Sequence, residues 1–317
     1  MKHIAIVLGL LVGLSITSNA QQIEQYTQYM LNPFVINPGA VGSQDFSSAK
    51  FTYRKQWAGG FNGEEPTTAI LSFNGKPSQF QNVGLGAILF NDVTGPTRRT
   101  GLQLAYAYQL PLGASSTKLG LGIAGNILQY SLDVNALILN EDNDPAVLGA
   151  NESKIGGDAN IGAFLHDKNY YAGISVAQLF QSKFVFNQDT AGFINLDRHL
   201  FAIAGYIYDL SDNLQLEPSV LLKSVSAAPV QFDLNARLIY DKRYWLGFNY
   251  RTSDAISILA GLTFSDQWHL GYSYDITTSE LNTVSSGSHE VMIGFDFGSN
   301  NDDSYEGKSN TGSGAKF

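Results

Sequence analysis

Residues 268–276 read Trp268-His269-Leu270-Gly271-Tyr272-Ser273-Tyr274-Asp275-Ile276. Side chains alternate across a strand with a period of two, so Trp268, Leu270, Tyr272, Tyr274 and Ile276 share one face. His269, Gly271, Ser273 and Asp275 share the other. The same period sets Val230, Phe232, Leu234, Ala236, Leu238 and Tyr240 against Gln231, Asp233, Asn235, Arg237 and Ile239. It also sets Val291, Ile293, Phe295 and Phe297 against Glu290, Met292, Gly294 and Asp296. The pattern recurs at 102–110, 117–125, 214–222, 244–251 and 256–264. Alternation over this much of the chain predicts an all-β protein.

Working outward, about fourteen strands are predicted, an even number of the kind an outer-membrane barrel has. They lie near 48–57, 66–74, 82–91, 98–110, 116–130, 156–166, 169–177, 198–209, 213–223, 229–240, 243–251, 254–265, 267–277 and 288–298. Tight connections, such as Asp241-Lys242, alternate with longer excursions at 131–155, 178–197 and 278–287. Short turns on one side and long loops on the other are the outer-membrane arrangement.

Charge placement decides between a membrane barrel and a soluble sandwich or propeller. Lys50, Arg54, Lys118, Asp158, Glu217, Asp233, Arg237, Asp275, Glu290 and Asp296 all fall opposite the apolar face. A Lys or Arg facing lipid at the midplane costs roughly 2–4 kcal/mol, so a bilayer enforces this segregation. A closed barrel also satisfies every backbone group without water. The expected fold is therefore an all-β, transmembrane, antiparallel outer-membrane β-barrel. Tyr240, Tyr244, Tyr250, Trp268 and Tyr274 fit interfacial aromatic girdles. Pro218 lies on the outward face and lacks a ladder donor, which predicts a bulge there.

Composition agrees. Of 317 residues, 15% are charged, 44% hydrophobic and 12% aromatic, against about a quarter charged in an average soluble domain. Mean hydropathy is −0.06, too low for a bundle of membrane helices. The net charge of −9 excludes the basic face that nucleic acid requires. Without a cysteine there is no disulfide scaffold, Cys-ligated zinc, thiol catalysis or lipidated cysteine.

Residues 1–20 read as a secretory signal: Lys2 and His3, an apolar stretch from Ile4 to Ile16, and the small-residue site Ser18-Asn19-Ala20, with cleavage after Ala20. The organisation then becomes an N-terminal periplasmic or luminal segment at 21–47, a barrel at 48–298, and a polar, disordered tail at 299–317. The 21–47 segment is expected at the periplasmic mouth or folded into the lumen.

Three stretches carry a resemblance. The first is Gln28-Tyr29-Met30-Leu31-Asn32-Pro33 with Ile36-Asn37-Pro38-Gly39-Ala40-Val41-Gly42. The second is Arg54-Lys55-Gln56-Trp57 with Phe61-Asn62-Gly63 and Pro66-Thr67-Thr68. The third is Gly84-Leu85-Gly86 leading to Phe90-Asn91-Asp92 and Gly95-Pro96. Together they resemble the PorP/SprF family of type IX secretion system membrane proteins from Bacteroidota, with Asn37-Pro38-Gly39 where the family usually has Asn-Pro-Ala. The resemblance implies an outer-membrane barrel that is not an enzyme and takes no cofactor. It implies a secreted surface protein with a C-terminal sorting domain, such as a gliding adhesin, as partner. It also implies contact with the secretion machinery and its peptidoglycan-linked periplasmic components. A diffusive porin for small solutes is the alternative.

Local motifs are weaker. Gly120-Leu121-Gly122-Ile123-Ala124-Gly125 matches the dinucleotide fingerprint, but alternation runs through it and no helix follows, so it reads as small lumen-facing residues. Asn140-Glu141-Asp142-Asn143-Asp144 is oxygen-rich but lacks an EF-hand register; it reads as a solvated loop, with calcium binding left open. His269 and Ser273 are four residues apart on one face, too far for direct contact at about 7 Å per two residues. The interior charges read as ion pairs. Phe61, Asn62 and Gly63 in a first outer loop, with Asn91 and Asp92 in a second, are candidate partner contacts, or simply turn residues. Tyr29, Asn32, Pro33, Asn37 and Pro38 form either a plug or a periplasmic docking site.

Overall fold

The computed structural model describes residues 23–61, 63–113, 116–133, 152–186, 192–226, 228–265 and 267–297. The predicted signal, Asn62, the 140–144 segment and the 299–317 tail lie outside them.

The inner and outer faces of the wall explain why these residues form strands. Along β13 (Gln231–Tyr240) and β14 (Tyr244–Arg251), buried and exposed positions alternate without a break. Asp233, Asn235, Arg237, Asn249 and Arg251 are among the buried positions, while Leu234, Leu238, Leu246 and Phe248 are exposed. This is a soluble protein turned inside out. Surfaces with Leu104, Ile127 and Leu246 each at least 59% exposed belong against hydrocarbon, and inside the barrel Arg237 pairs with Glu217 and Arg251 with Asp233.

The other wall strands are β1 (Ser47–Lys55), β2 (Thr67–Gly75), β3 (Val83–Thr94), β4 (Thr97–Pro111), β5 (Lys118–Leu132), β6 (Glu152–His166), β7 (Tyr170–Ala177), β10 (His199–Tyr206) with its continuation β11 (Tyr208–Ser211), β12 (Leu214–Val225), β15 (Ala255–Phe264), β16 (Trp268–Thr277) and β17 (Ser288–Phe297). Each pairs antiparallel with its sequence neighbour in the wall. β17 returns to β1 in register from Ser47↔Phe297 to Lys55↔His289. With β10 and β11 counted as one interrupted strand, the result is a closed fourteen-stranded barrel. Asp241 and Lys242, at φ of 52° and 53°, make the two-residue left-handed turn that suits the twist of a hairpin.

Three expectations are corrected. Pro218 makes no bulge: its register with Ala236 is unbroken. The ladder instead lapses on the other side, between Gly205↔Ser219 and Tyr208↔Leu216, and the Ile207 N–H turns to the Asn169 carbonyl at 2.7 Å. A missing donor costs one bond to one neighbour, so splitting that neighbour into β10 and β11 absorbs it. The register shift lies nearby, between Asp209 and Ser211. The excursion at 131–155 is shorter than expected, because β5 and β6 pair out to Leu132↔Glu152. The 178–197 excursion holds a small hairpin, β8 (Lys183–Phe186) with β9 (Gly192–Asn195). Phe184, Phe186 and Leu196 bury against Leu128 there.

Ser47, Phe297 and the turns after β2, β4, β6, β11, β13 and β15 share one rim, the turn rim. The connections after β1, β5, β7 and β16 lie at the opposite, loop rim.

Candidate functional site

Residues 23–46 occupy the lumen. Short 3-10 turns at Tyr29–Leu31, Pro33–Val35 and Pro38–Ala40 fold the segment compactly, each proline placed where its missing N–H is not needed. Tyr29, Asn32, Asn37 and Pro38 are buried and Pro33 half-buried. The structure places all five inside the lumen, against the wall, in a segment termed the plug.

The wall contacts trace a descent from the loop rim to the turn rim. Glu24 pairs with Arg99 near the start of β4. The Thr27 and Gln28 N–H groups donate to the two carboxylate oxygens of Glu290, at 2.9 and 3.0 Å. The Thr27 hydroxyl donates to Asp275 at 2.9 Å and accepts from Arg54 Nη1 at 3.0 Å and Arg251 Nη2 at 3.2 Å. Lower down, the Tyr29 hydroxyl meets Ser219 at 3.2 Å, Asn32 donates to Ser72 at 2.8 Å, and Lys50 donates to the Leu31 carbonyl. Ser175 donates to the Ile36 carbonyl at 2.6 Å. Asn37 Nδ2 bridges the Ala163 and Ile174 carbonyls at 3.0 and 3.2 Å, while its Oδ1 caps the Gly39 N–H at 2.8 Å. Gln109 Nε2 holds the Val41 carbonyl at 2.6 Å. At the turn rim, Asp45 pairs with Lys76.

Around Thr27 the wall supplies a buried charge cluster. Arg54 reaches Asp275 at 2.7 Å and Glu290 at 3.2 Å. Arg251 reaches Asp233 at 2.7 Å and Asp275 at 3.4 Å. Lys223 reaches Asp233 at 2.9 Å. Asp254 joins at its edge, 3.3 Å from Arg251, so three cations meet four carboxylates. A buried ion cluster is weak evidence for stability but a strong device for register, and here it registers the backbone of residues 26–28.

The lower plug rests on glycines. A β-carbon on Gly120 would stand 2.1 Å from the Gly39 carbonyl oxygen, one on Gly162 2.0 Å from Asn37 Oδ1, and one on Gly84 2.1 Å from the Val41 carbonyl oxygen. Only residues without a side chain allow the plug backbone to lie against the wall. Gly120 and Gly122 of the glycine-rich run at 120–125 belong to this floor, in β5 and with no helix after it.

The candidate contact residues separate. Phe61 stands at the loop rim, 38% exposed, its ring 6.1 Å from that of Trp57, and Gly63 is exposed beside it. That loop is tied to the 278–287 loop by the Ala58 N–H on the Gly287 carbonyl at 2.7 Å. Asn91 and Asp92 are not in a loop. They extend β3, opposite Thr100 and Arg99, and Asp92 accepts from Thr68 at 2.6 Å within the wall. The Gly95-Pro96 turn is so short that pairing continues to Thr94↔Thr97.

His269 bonds Asp296 at 2.6 Å and Thr263 at 3.0 Å, whereas Asp275 belongs to the Thr27 cluster. Among the described residues, no group of His, Asp and Glu has the makeup of a metal site. Arg251, Lys223, Arg99, Thr27 and Gln109 escaped the sequence reading. Arg251 lies on the same alternating face as Gly247 and Asn249, within the stretch 244–251 already read as a strand, so the period itself marks it as inward-facing.

The sequence profile of the Type IX secretion system membrane protein PorP/SprF family matches residues 18–295. The chain belongs to this family. Among curated proteins, none matches the sequence. Solved structures share the barrel fold alone. The Acinetobacter baumannii outer membrane protein Omp33 is 9% identical with a TM-score of 0.45, over 81% of this chain and 100% of that one. A Pseudomonas aeruginosa FadL homologue is 10% identical with a TM-score of 0.46, over 82% and 91%. The KdgM porin is 7% identical with a TM-score of 0.40, over 79% and 99%. This PorP/SprF barrel is an outer-membrane protein, and in such barrels the turns face the periplasm and the loops the exterior. The lumen segment of this family member therefore begins at the outer mouth and ends at the periplasmic one.

Proposed function

We propose that this barrel serves type IX secretion as a non-enzymatic, cofactor-free outer-membrane partner of a secreted surface protein. The partner is of the gliding-adhesin type, held or exported through its C-terminal sorting domain. Residues 1–20 act as the export signal, removed after Ala20. The observation that carries the reading is the filled lumen: residues 24–45 are bonded to wall strands around the barrel, which fits a scaffold better than a diffusive pore. The outer lip around Trp57, Phe61 and Val284, the last 51% exposed, offers apolar surface to such a partner. The turn rim faces the peptidoglycan-linked machinery.

The test is deletion of the gene in its own host, followed by protease shaving and blotting of surface proteins. The expected result is a surface protein made in normal amount but no longer displayed. An unchanged surface profile would refute the reading.

A further inference from the structure

Where β3, β4, β5 and β6 approach the loop rim, the outward face of the wall changes character. On β4 the outward positions from Leu110 up to Leu102 are all Leu or Tyr, and the next two are Thr100 and Arg98. Strand register sets six polar side chains in two adjoining outward rows. Asn91, Thr100 and Gln129 form the lower row, and Arg98, Ser131 and Ser153 the upper. Thr100 donates to Asn91 Oδ1 at 3.0 Å, and Gln129 Nε2 donates to Ser153 Oγ at 2.5 Å. Arg98 is exposed and forms no ion pair among the described residues. The outward positions of β3–β6 hold no Asp or Glu among the described residues. Asp133, its N–H on the Pro96 carbonyl at 2.8 Å, borders the patch on its solvent side.

The height of the patch follows from the strand. Arg98 stands four residues above Leu102, roughly 10 Å along the membrane normal for a rise of about 3.4 Å per residue and a tilt of about 40°. That is the headgroup layer, where the penalty for an outward cation has nearly vanished. A wall face at this level is covered by lipid whatever else the barrel binds, so its occupant is a headgroup. We propose that the patch holds the phosphate of an outer-leaflet glycolipid. The Arg98 guanidinium supplies a fork of charge-assisted N–H bonds, and Asn91 Nδ2 and the Ser131 hydroxyl are neutral donors beside it. The inference rests on the outer-membrane placement of the wall and not on the identity of the secreted partner. It gives Asn91 a lipid contact on the outside of the barrel.

The test uses the full mature chain folded in detergent, with bound lipid counted by native mass spectrometry. The probes are diphosphoryl lipid A, the same lipid after phosphatase treatment, and inorganic phosphate. The wild-type protein should hold diphosphoryl lipid A roughly tenfold or more tightly than the dephosphorylated form. Arg98→Gln should abolish that preference while heat-modifiable migration stays normal. Where Arg98→Gln does not assemble, Arg98→Ala is read in the same way. Equal retention of both lipids by the wild type, or an undiminished preference in an assembled variant, overturns the proposal. Displacement of the lipid by an equal concentration of inorganic phosphate would mark a free-phosphate site and overturn the headgroup assignment.

Discussion

Gly122 and Pro38 meet backbone to backbone: a β-carbon on Gly122 would stand 2.3 Å from the Pro38 carbonyl carbon. Gly122→Val therefore has no space to occupy while the plug is seated. Overpacking of this kind costs about 1–3 kcal/mol, and the plug, held by side-chain contacts, yields before the laddered wall. The expected outcome is a barrel with normal heat-modifiable migration whose 23–46 segment becomes sensitive to added protease.

Arg251 touches Asp233, Asp275, the Tyr26 carbonyl and the Thr27 hydroxyl with one guanidinium. Arg251→Met leaves two buried carboxylates short of a cation, a change worth roughly 3–5 kcal/mol. A lower urea midpoint in lipid vesicles is expected. Arg251→Lys should recover little, because one ammonium group cannot span partners arranged for a fork.

If the plug seals the lumen, the intact protein should be silent in planar lipid bilayers. An in-frame deletion of residues 23–42 should show stepwise conductance. Equal conductance from both proteins would contradict a sealed lumen and favour the porin alternative.

Leu246 is 60% exposed in the middle of β14, between Leu238 and Ala260 on the neighbouring strands. Leu246→Arg places a cation against hydrocarbon at a cost of roughly 2–4 kcal/mol. Its folding yield in vesicles should fall sharply, whereas in detergent, where the head group finds water, the loss should be smaller.

The wall was legible in the sequence because a bilayer imposes a rule on every second residue: Leu234 and Asp233 cannot exchange faces. Strand existence, inward charges and closure followed from that rule. What the rule does not reach is an irregular segment. Tyr29, Asn32 and Asn37 could be selected as a plug or a docking site, but nothing in their spacing reveals that Asn37 bridges two wall carbonyls or that Thr27 is bonded to four charged side chains. Asn91 and Asp92 were misplaced because turn-forming residues were read as a turn, although a two-residue connection lets the ladder run past them. The hairpin at Lys183–Asn195 was missed because four-residue strands are too short for a period to show.

Thr27 is bonded to Asp275 and Glu290, 248 and 263 positions further on. The earliest part of the polypeptide to reach the periplasm thus waits for the latest part before it has a home. Long-range partners of this kind slow folding, and the β1–β17 seam and the seating of the plug become a single event in biogenesis. A periplasmic chaperone that serves this barrel must keep the leading segment unstructured until the final hairpin arrives. A chain stalled or truncated before β16 would leave Thr27 and Gln28 without Asp275 and Glu290, and the segment a ready target for proteolytic quality control.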